Sequence, residues 1–253
     1  MLVHIDYTLQ FDTPFHLGTG VTAGLIDRTV IRDARGYLYV PASTFKGVLR
    51  EHCEHLCRLY LPAMAVDSPH NAYLALTQFG RSPSLISRIF GSHIHPGGLR
   101  FNDARLVDED RRAYKNDYGD TQTGTLTQVR IDRLTRTAVP EALYTSEFGA
   151  RDLLFEGTIK GVLQCSPVAA LATTVDEQSS LPAPTYSLLL LLAGLLMIEQ
   201  IGGNKSAGKG QCRCLITKVL LDKHRCSERQ WQSWIEQLEV LSSYLPVAKE
   251  GQA

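Results

Sequence analysis

Residues 199–219, EQIGGNKSAGKGQCRCLITKV, decide how the chain is read. From Gly203 to Lys209 the string GNKSAGK fits GxxxxGK, the opening of a phosphate-cradling nucleotide loop. Three features argue against that reading. The residue after Lys209 is Gly210, so the Mg²⁺-coordinating hydroxyl is missing. The motif also needs a strand before it and a helix after it, so that helix amides meet the phosphates. Here the order is reversed. YSLLLLLAGLLMIEQ (186–200) is rich in Leu and Ala and predicts a helix. QCRCLITKVLL (211–221) alternates polar with apolar β-formers and predicts a strand. A glycine loop that runs from helix to strand, carrying Lys205 and Lys209, suits either a plain turn or a surface against which a nucleic-acid backbone lies.

The chain has 253 residues, enough for one large domain or two small ones with a substantial core. Its 26 basic and 26 acidic residues cancel. That balance argues against a polyanion binder that uses its whole surface, but leaves room for a basic stripe on one face. MLVHIDYTLQFDTPFHLGTG (1–20) alternates with period two and lacks the layout of an export signal. The apolar run from Leu188 to Met197 is about half a membrane span and predicts a buried helix. The six Cys are expected as reduced thiols in a cytoplasm, with no membrane partner.

Along the chain, Val3, Ile5, Tyr7, Leu9 and Phe11 share one face of a first strand (2–12). TPFHLGTGVTAGL (13–25) is a glycine-punctuated loop, and 26–42 reads as a hairpin turning at DARG. STFKGVLREHCEHLCRLYL (43–61) is a helix with Ser43 or Thr44 available as its N-cap. A short helix ends at Gly91 and strands are expected within 97–110 and 153–165. The polar stretch 111–152 between them is long enough to be a functional excursion. The order predicts an α+β, ferredoxin-like (RRM-like) βαββαβ topology with one large insertion.

Six separate stretches, in order, carry a resemblance: FHLGTG (15–20), GLIDRTVIRDARGYLYVPASTFKGVLRE (24–51), RIFGS (88–92), GGLRFNDARL (97–106), VRIDRLTRTA (129–138) and IGGNKSAGKGQC (201–212). Together they resemble the RAMP superfamily of CRISPR effector proteins, and most nearly the backbone subunits of type III complexes. The resemblance implies one RAMP domain over 1–253. It would carry an irregular insertion at 62–82, a thumb-hairpin insertion at 111–152 and a C-terminal helix and tail at 222–253. It implies guide crRNA and complementary target RNA as partners, with other effector subunits stacked head-to-tail.

By the same resemblance Asp27 is the target-cleaving aspartate. A carboxylate there can hold a divalent ion such as Mg²⁺ or help activate a ribose 2′-hydroxyl. The alternative is that Asp27 caps a turn or pairs with Arg28. Ser43, Thr44, Lys46 and Arg50, at the start of their helix, are expected to hold guide phosphates, or else to form a solvated basic edge. Arg130, Arg133 and Arg136 would track phosphates from the thumb, with Ile131 and Leu134 as an apolar tip. Gly202, Gly203, Lys205, Ser206, Gly208, Lys209 and Gly210 would lie against the guide. Cys53 and Cys57, four apart on one helical face, are weak zinc candidates with His70, but no CxxC pair accompanies them and both fit a buried stripe. No zinc ligand is assigned. His16 is read as a hydrogen-bonded loop residue, with His-dependent cleavage of guide precursors as the alternative.

Overall fold

The computed structural model describes residues 1–62, 83–116, 122–172 and 182–245. The central strand is β1 (Leu2–Phe11). Its odd-numbered side chains from Val3 to Phe11 are all buried, as period-two alternation requires when one face of a sheet is covered. On one side β1 pairs antiparallel with β7 (Leu154–Val162), on the other with β8 (Cys212–Leu221). Beyond β7 lie β3 (Leu99–Phe101) and β4 (Ala104–Leu106), and β2 (Tyr39–Val40) adds to β4. β9 (His224–Cys226) adds to β8.

Two helices cover the apolar face. α1 (Ala42–Tyr60) follows β1 and turns Phe45, Leu49, Cys53, Leu56 and Cys57 inward. A second, α2 (Leu85–Phe90), ends at Gly91 as expected. After α3 (Asp108–Asn116) and the four-residue α4 (Ala169–Ala172) comes α5 (Tyr186–Leu196). Thr185 caps α5 by accepting the Leu188 N–H, and its residues from Ser187 to Leu195 are buried. The Tyr7 ring stacks on Phe45 at 4.3 Å between centroids, clamping β1 to α1. The order β4–β7–β1–β8, with α1 after β1 and α5 between β7 and β8, is the ferredoxin-like arrangement of an α+β domain.

Several local expectations change. α1 begins at Ala42 with Pro41 at its N-cap, and neither Ser43 nor Thr44 caps it. Asp103, from the turn between β3 and β4, accepts the Ala42 N–H at 2.8 Å and takes over the capping role. The hairpin expected at 26–42 reduces to a turn, where Asp33 Oδ1 accepts the Arg35 and Tyr37 N–H groups, and a single Arg32–Leu38 bridge. The polar stretch 111–152 begins inside α3 and contains a separate two-stranded sheet, β5 (Thr123–Ile131) with β6 (Ala138–Gly149). That hairpin falls in the stretch expected to form the thumb insertion and is called the thumb from here on. The C-terminal part holds β9, then α6 (Glu228–Glu236) and a 3₁₀ turn (Leu238–Ser243), with a Ser227–Gln230 capping box. The insertion expected at 62–82 lies, apart from Pro62, outside the described residues, as do 246–253. Among the described residues no helix is long and apolar enough to cross a membrane.

Glycines in GGLRF are structural. A Cβ at Gly98 would run into the carbonyl oxygen of Val162, whose own N–H bonds Gly98 O at 2.9 Å. Gly98→Ala is therefore expected to cost about 1–3 kcal/mol, the usual penalty of overpacking. Urea unfolding of the purified chain measures it as a lower midpoint at unchanged slope.

Candidate nucleic-acid interface

The glycine loop is built by alternating handedness. Gly202, Gly208 and Gly210 take positive φ, and Asn204 takes the left-handed conformation at φ 59°. A side chain at Gly210 would strike the Ile201 carbonyl. The Gln200 side-chain amide donates to the carbonyls of Lys205 (2.9 Å) and Lys209 (2.8 Å) and fixes the curl from inside. Gly203 N–H donates to His16 O and Gly210 N–H to Pro14 O, docking the loop on the segment after β1. The N–H groups of Ala207, Gly208 and Lys209 are spent within the loop. Its outward offer is therefore mainly side chains: Lys205 and Ser206 are exposed, and Lys209 Nζ sits 5.4 Å from the Phe148 ring centroid.

α1 meets this loop with one face only. Thr44 and Val48 line a cleft of about 260 Å³ together with His16, Gly18, Gly203 and Lys205. His52, one turn further on, continues that face. Burial pushes its pKa down, and Lys205 and His55 push the same way against Glu51 and Glu199. The sequence grouped Lys46 and Arg50 with Thr44, but at 100° per residue they point elsewhere. Lys46 Nζ lies 5.8 Å from the Phe101 ring centroid, and burial, with Arg50 next, lowers its pKa. Arg50 donates to Glu54 (2.8 Å) and to the Gly91 carbonyl (3.1 Å). Ser43 is exposed.

The thumb base lies next to the cleft, behind His16. His16 Nδ1 lies 2.8 Å from Glu147 O, and its ring meets Phe148 edge-on. Asp27, from its own loop, docks two residues up the same strand: its N–H donates to Thr145 O at 2.9 Å, and its Oδ2 accepts the Thr145 N–H at 2.7 Å. Asp27 is exposed beside Arg28, whose guanidinium lies over the Tyr144 ring. The FHLG loop, the Asp27 loop and the glycine loop thus reach residues 145–149 of β6, and the Thr44 face looks across the cleft at His16 and the glycine loop.

The sequence model of the RAMP superfamily matches residues 8–213, a span that contains every one of these segments. The chain belongs to the RAMP superfamily. Among solved structures, this RAMP protein is similar to a chain of a type III-B Cmr-beta complex bound to cognate target RNA. The two share 13% identity over 84% of this chain and 96% of that one, at a TM-score of 0.49. It is similar also to a chain of the apo-state type III-B Cmr-beta complex, at 13% identity over 85% and 97% and the same TM-score. No curated protein sequence matches it.

Elsewhere in the RAMP domain, Arg130, Arg133 and Arg136 are exposed at the far end of the thumb and line no part of the cleft. Leu134, 92% exposed, sits at the tip, where Asp132 Oδ1 accepts the Leu134 and Thr135 N–H groups. All six cysteines are free. Cys53 is packed under α5 with its Sγ at the Leu190 carbonyl, and burial pushes the Cys57 thiol up to about 12, so neither offers a thiolate. His70 lies outside the described residues. Among the described residues no three His, Cys, Asp or Glu side chains converge. Thr145 N–H occupies Asp27 Oδ2, so among the described residues Asp27 Oδ1 is the carboxylate oxygen that a divalent ion there would meet.

Residues that sequence did not single out hold the interface together. Glu147, 8% exposed, accepts the Val30 N–H at 3.0 Å and the Arg32 guanidinium at 2.6 Å. Burial alone raises its carboxyl pKa, but Val30 N–H, Arg32 and Thr123 outweigh it and hold the carboxyl below the usual carboxylate value. Because the folded value is the lower one, the associated stability is complete above the unfolded pKa, about 4.3. It is lost as the pH falls through the folded value. Thermal melts of Glu147→Gln should lie below wild type by a constant gap above about pH 5, and the gap should narrow as the pH falls below the unfolded carboxylate value and through the lower folded one.

Proposed function

We propose that this RAMP protein is a crRNA-binding subunit of a type III CRISPR effector complex that cleaves the paired target RNA at Asp27. The observation that carries the reading is convergence. Thr44 from α1 and Lys205 from the glycine loop line one cleft with His16, while His16 and Lys209 reach Glu147 and Phe148 at the thumb base and the Asp27 loop bonds Thr145 on the same strand. Cations and hydroxyls on one side of the cleft suit a sugar–phosphate backbone. The thumb carries Arg130, Arg133, Arg136 and the exposed Leu134 outward, towards whatever duplex the guide forms. Zero net charge fits a subunit stacked with neighbours, because each copy adds only a few cations to a shared trough.

In this reading the exposed Asp27 carboxylate accepts the proton of a target ribose 2′-hydroxyl. The resulting oxyanion attacks the adjacent phosphorus and releases the 5′-oxygen of the next nucleotide. Oδ2 is held by Thr145 N–H, which fixes the carboxylate and leaves Oδ1 for the RNA. The same bond favours a second reading, in which Asp27 only secures the loop to β6 and the subunit holds guide RNA without cutting.

Asp27→Asn separates the two, since the amide oxygen still accepts the Thr145 N–H while the base is lost. In a reconstituted complex the cleaving reading expects cutting at this subunit's position to fall by about 10²-fold or more, with guide binding and assembly intact. Undiminished cutting by that variant assigns Asp27 the structural role.

A further inference from the structure

A second basic cleft opens at the other end of β1 from the glycine loop, where α2 and the segment after it meet β3 and β7. It encloses about 700 Å³ and is lined by Arg88, His95, Arg100 and Lys160, with Leu2 and Val162 at its edge. No acidic side chain is among its described lining residues. Arg100 and Lys160 are direct cross-strand partners on β3 and β7, and both are exposed. Like charges facing each other across a ladder are destabilising by a few tenths of a kcal/mol or more. Among the described residues neither makes an ion pair within 4.0 Å. His4, the partner of Lys160 on β1, extends the basic row. The nearest acid on that face, Asp6, is taken by His4 (2.9 Å) and by the Thr158 hydroxyl (2.9 Å). Arg100 and Lys160 thus set two adjacent positive charges, with no ion-pair partner among the described residues, at a concave site on a chain with no net charge to explain them.

We propose that this cleft is a second, sequence-independent RNA site that takes the sugar–phosphate backbone of a single strand. The proposal rests on the RNA-binding reading above and adds a place that reading does not use. Two features select a backbone contact. The open face of β1 and β7 presents His4, Asp6, Thr8, Glu156, Thr158 and Lys160, with no aromatic ring on which bases can stack, so affinity there has to come from phosphates. The distance does the rest: the ten residues of β1, at about 3.3 Å each, set the two clefts roughly 30 Å apart. A strand leaving the glycine-loop groove can engage both without the sites competing.

The test is anisotropy of a labelled oligouridylate titrated with the full chain over a range of salt. The proteins are wild type, an Arg100→Ala/Lys160→Ala double variant and a Lys205→Ala/Lys209→Ala double variant. Loss of two phosphate contacts is expected to weaken binding by about three- to tenfold and to reduce the salt slope by about 1.4. Lys160→Glu provides the control for structure, because it places opposite charges across the ladder. Its melting temperature should hold or rise while RNA affinity falls, the reverse of what a structural role predicts. Wild-type affinity and slope in the Arg100/Lys160 variant, with weakening in the Lys205/Lys209 variant, overturn the second site and leave the groove standing. Weakening in the Arg100/Lys160 variant alone keeps the second site and removes the groove. Equal affinity of all three proteins for RNA, with poly-glutamate bound only when Arg100 and Lys160 are present, reassigns the cleft to an acidic protein partner.

Discussion

Buried acceptors at the root of the thumb hold this molecule in its working shape. Glu147 takes the Val30 N–H and Gln122, 2% exposed, takes the Leu38 N–H at 3.0 Å. Both amides belong to a stretch with little ladder of its own, and an unmet buried N–H costs about 1–3 kcal/mol. Asp27 returns the arrangement by accepting a thumb N–H. The loop and the thumb therefore complete each other's hydrogen bonding, and neither holds its position without the other. Gly149 lets the Phe15 ring press flat on the strand at this junction, where any Cβ would collide with it.

The interface has a division of labour along α1. One face, through Thr44, Val48 and His52, looks at the glycine loop. The neighbouring face, through Lys46 and Arg50, fastens the helix to β3 and to the end of α2. Asp103 at the helix start accepts an amide that would otherwise be free for an anion. In the proposed reading, phosphate recognition at this end would fall to the glycine-loop lysines and the Thr44 hydroxyl, since the first helical amide already has its acceptor.

Much of the fold was legible because it repeats a period. The five apolar positions of β1, the leucine run of α5 and the alternation in β8 each point to one element type. The glycine loop and Gly91 were legible as punctuation. What escaped notice was non-local. Val30 and Glu147 are 117 residues apart, Ala42 and Asp103 are 61 apart, and no local pattern says which acid will find which amide. The separation of Thr44 from Lys46 and Arg50 was open to simple helical counting. So was α3, whose first turn carries Asp108, Glu109 and Asp110 as a helix start favours. Its Asp110 reaches across to the Leu154 N–H, which explains why a polar stretch folds back onto the sheet.

The placement of β1 between β7 and β8 governs how the chain acquires its structure during synthesis. The central strand is made before its neighbours, which lie about 150 and 210 residues downstream. Until they emerge from the ribosome, Val3, Ile5, Tyr7, Leu9 and Phe11 have no ladder to join. Contacts so distant in sequence close slowly, and unpaired hydrophobic segments invite aggregation in the meantime. Completion of the sheet around β1 therefore waits for β8, the last of its partners to be made.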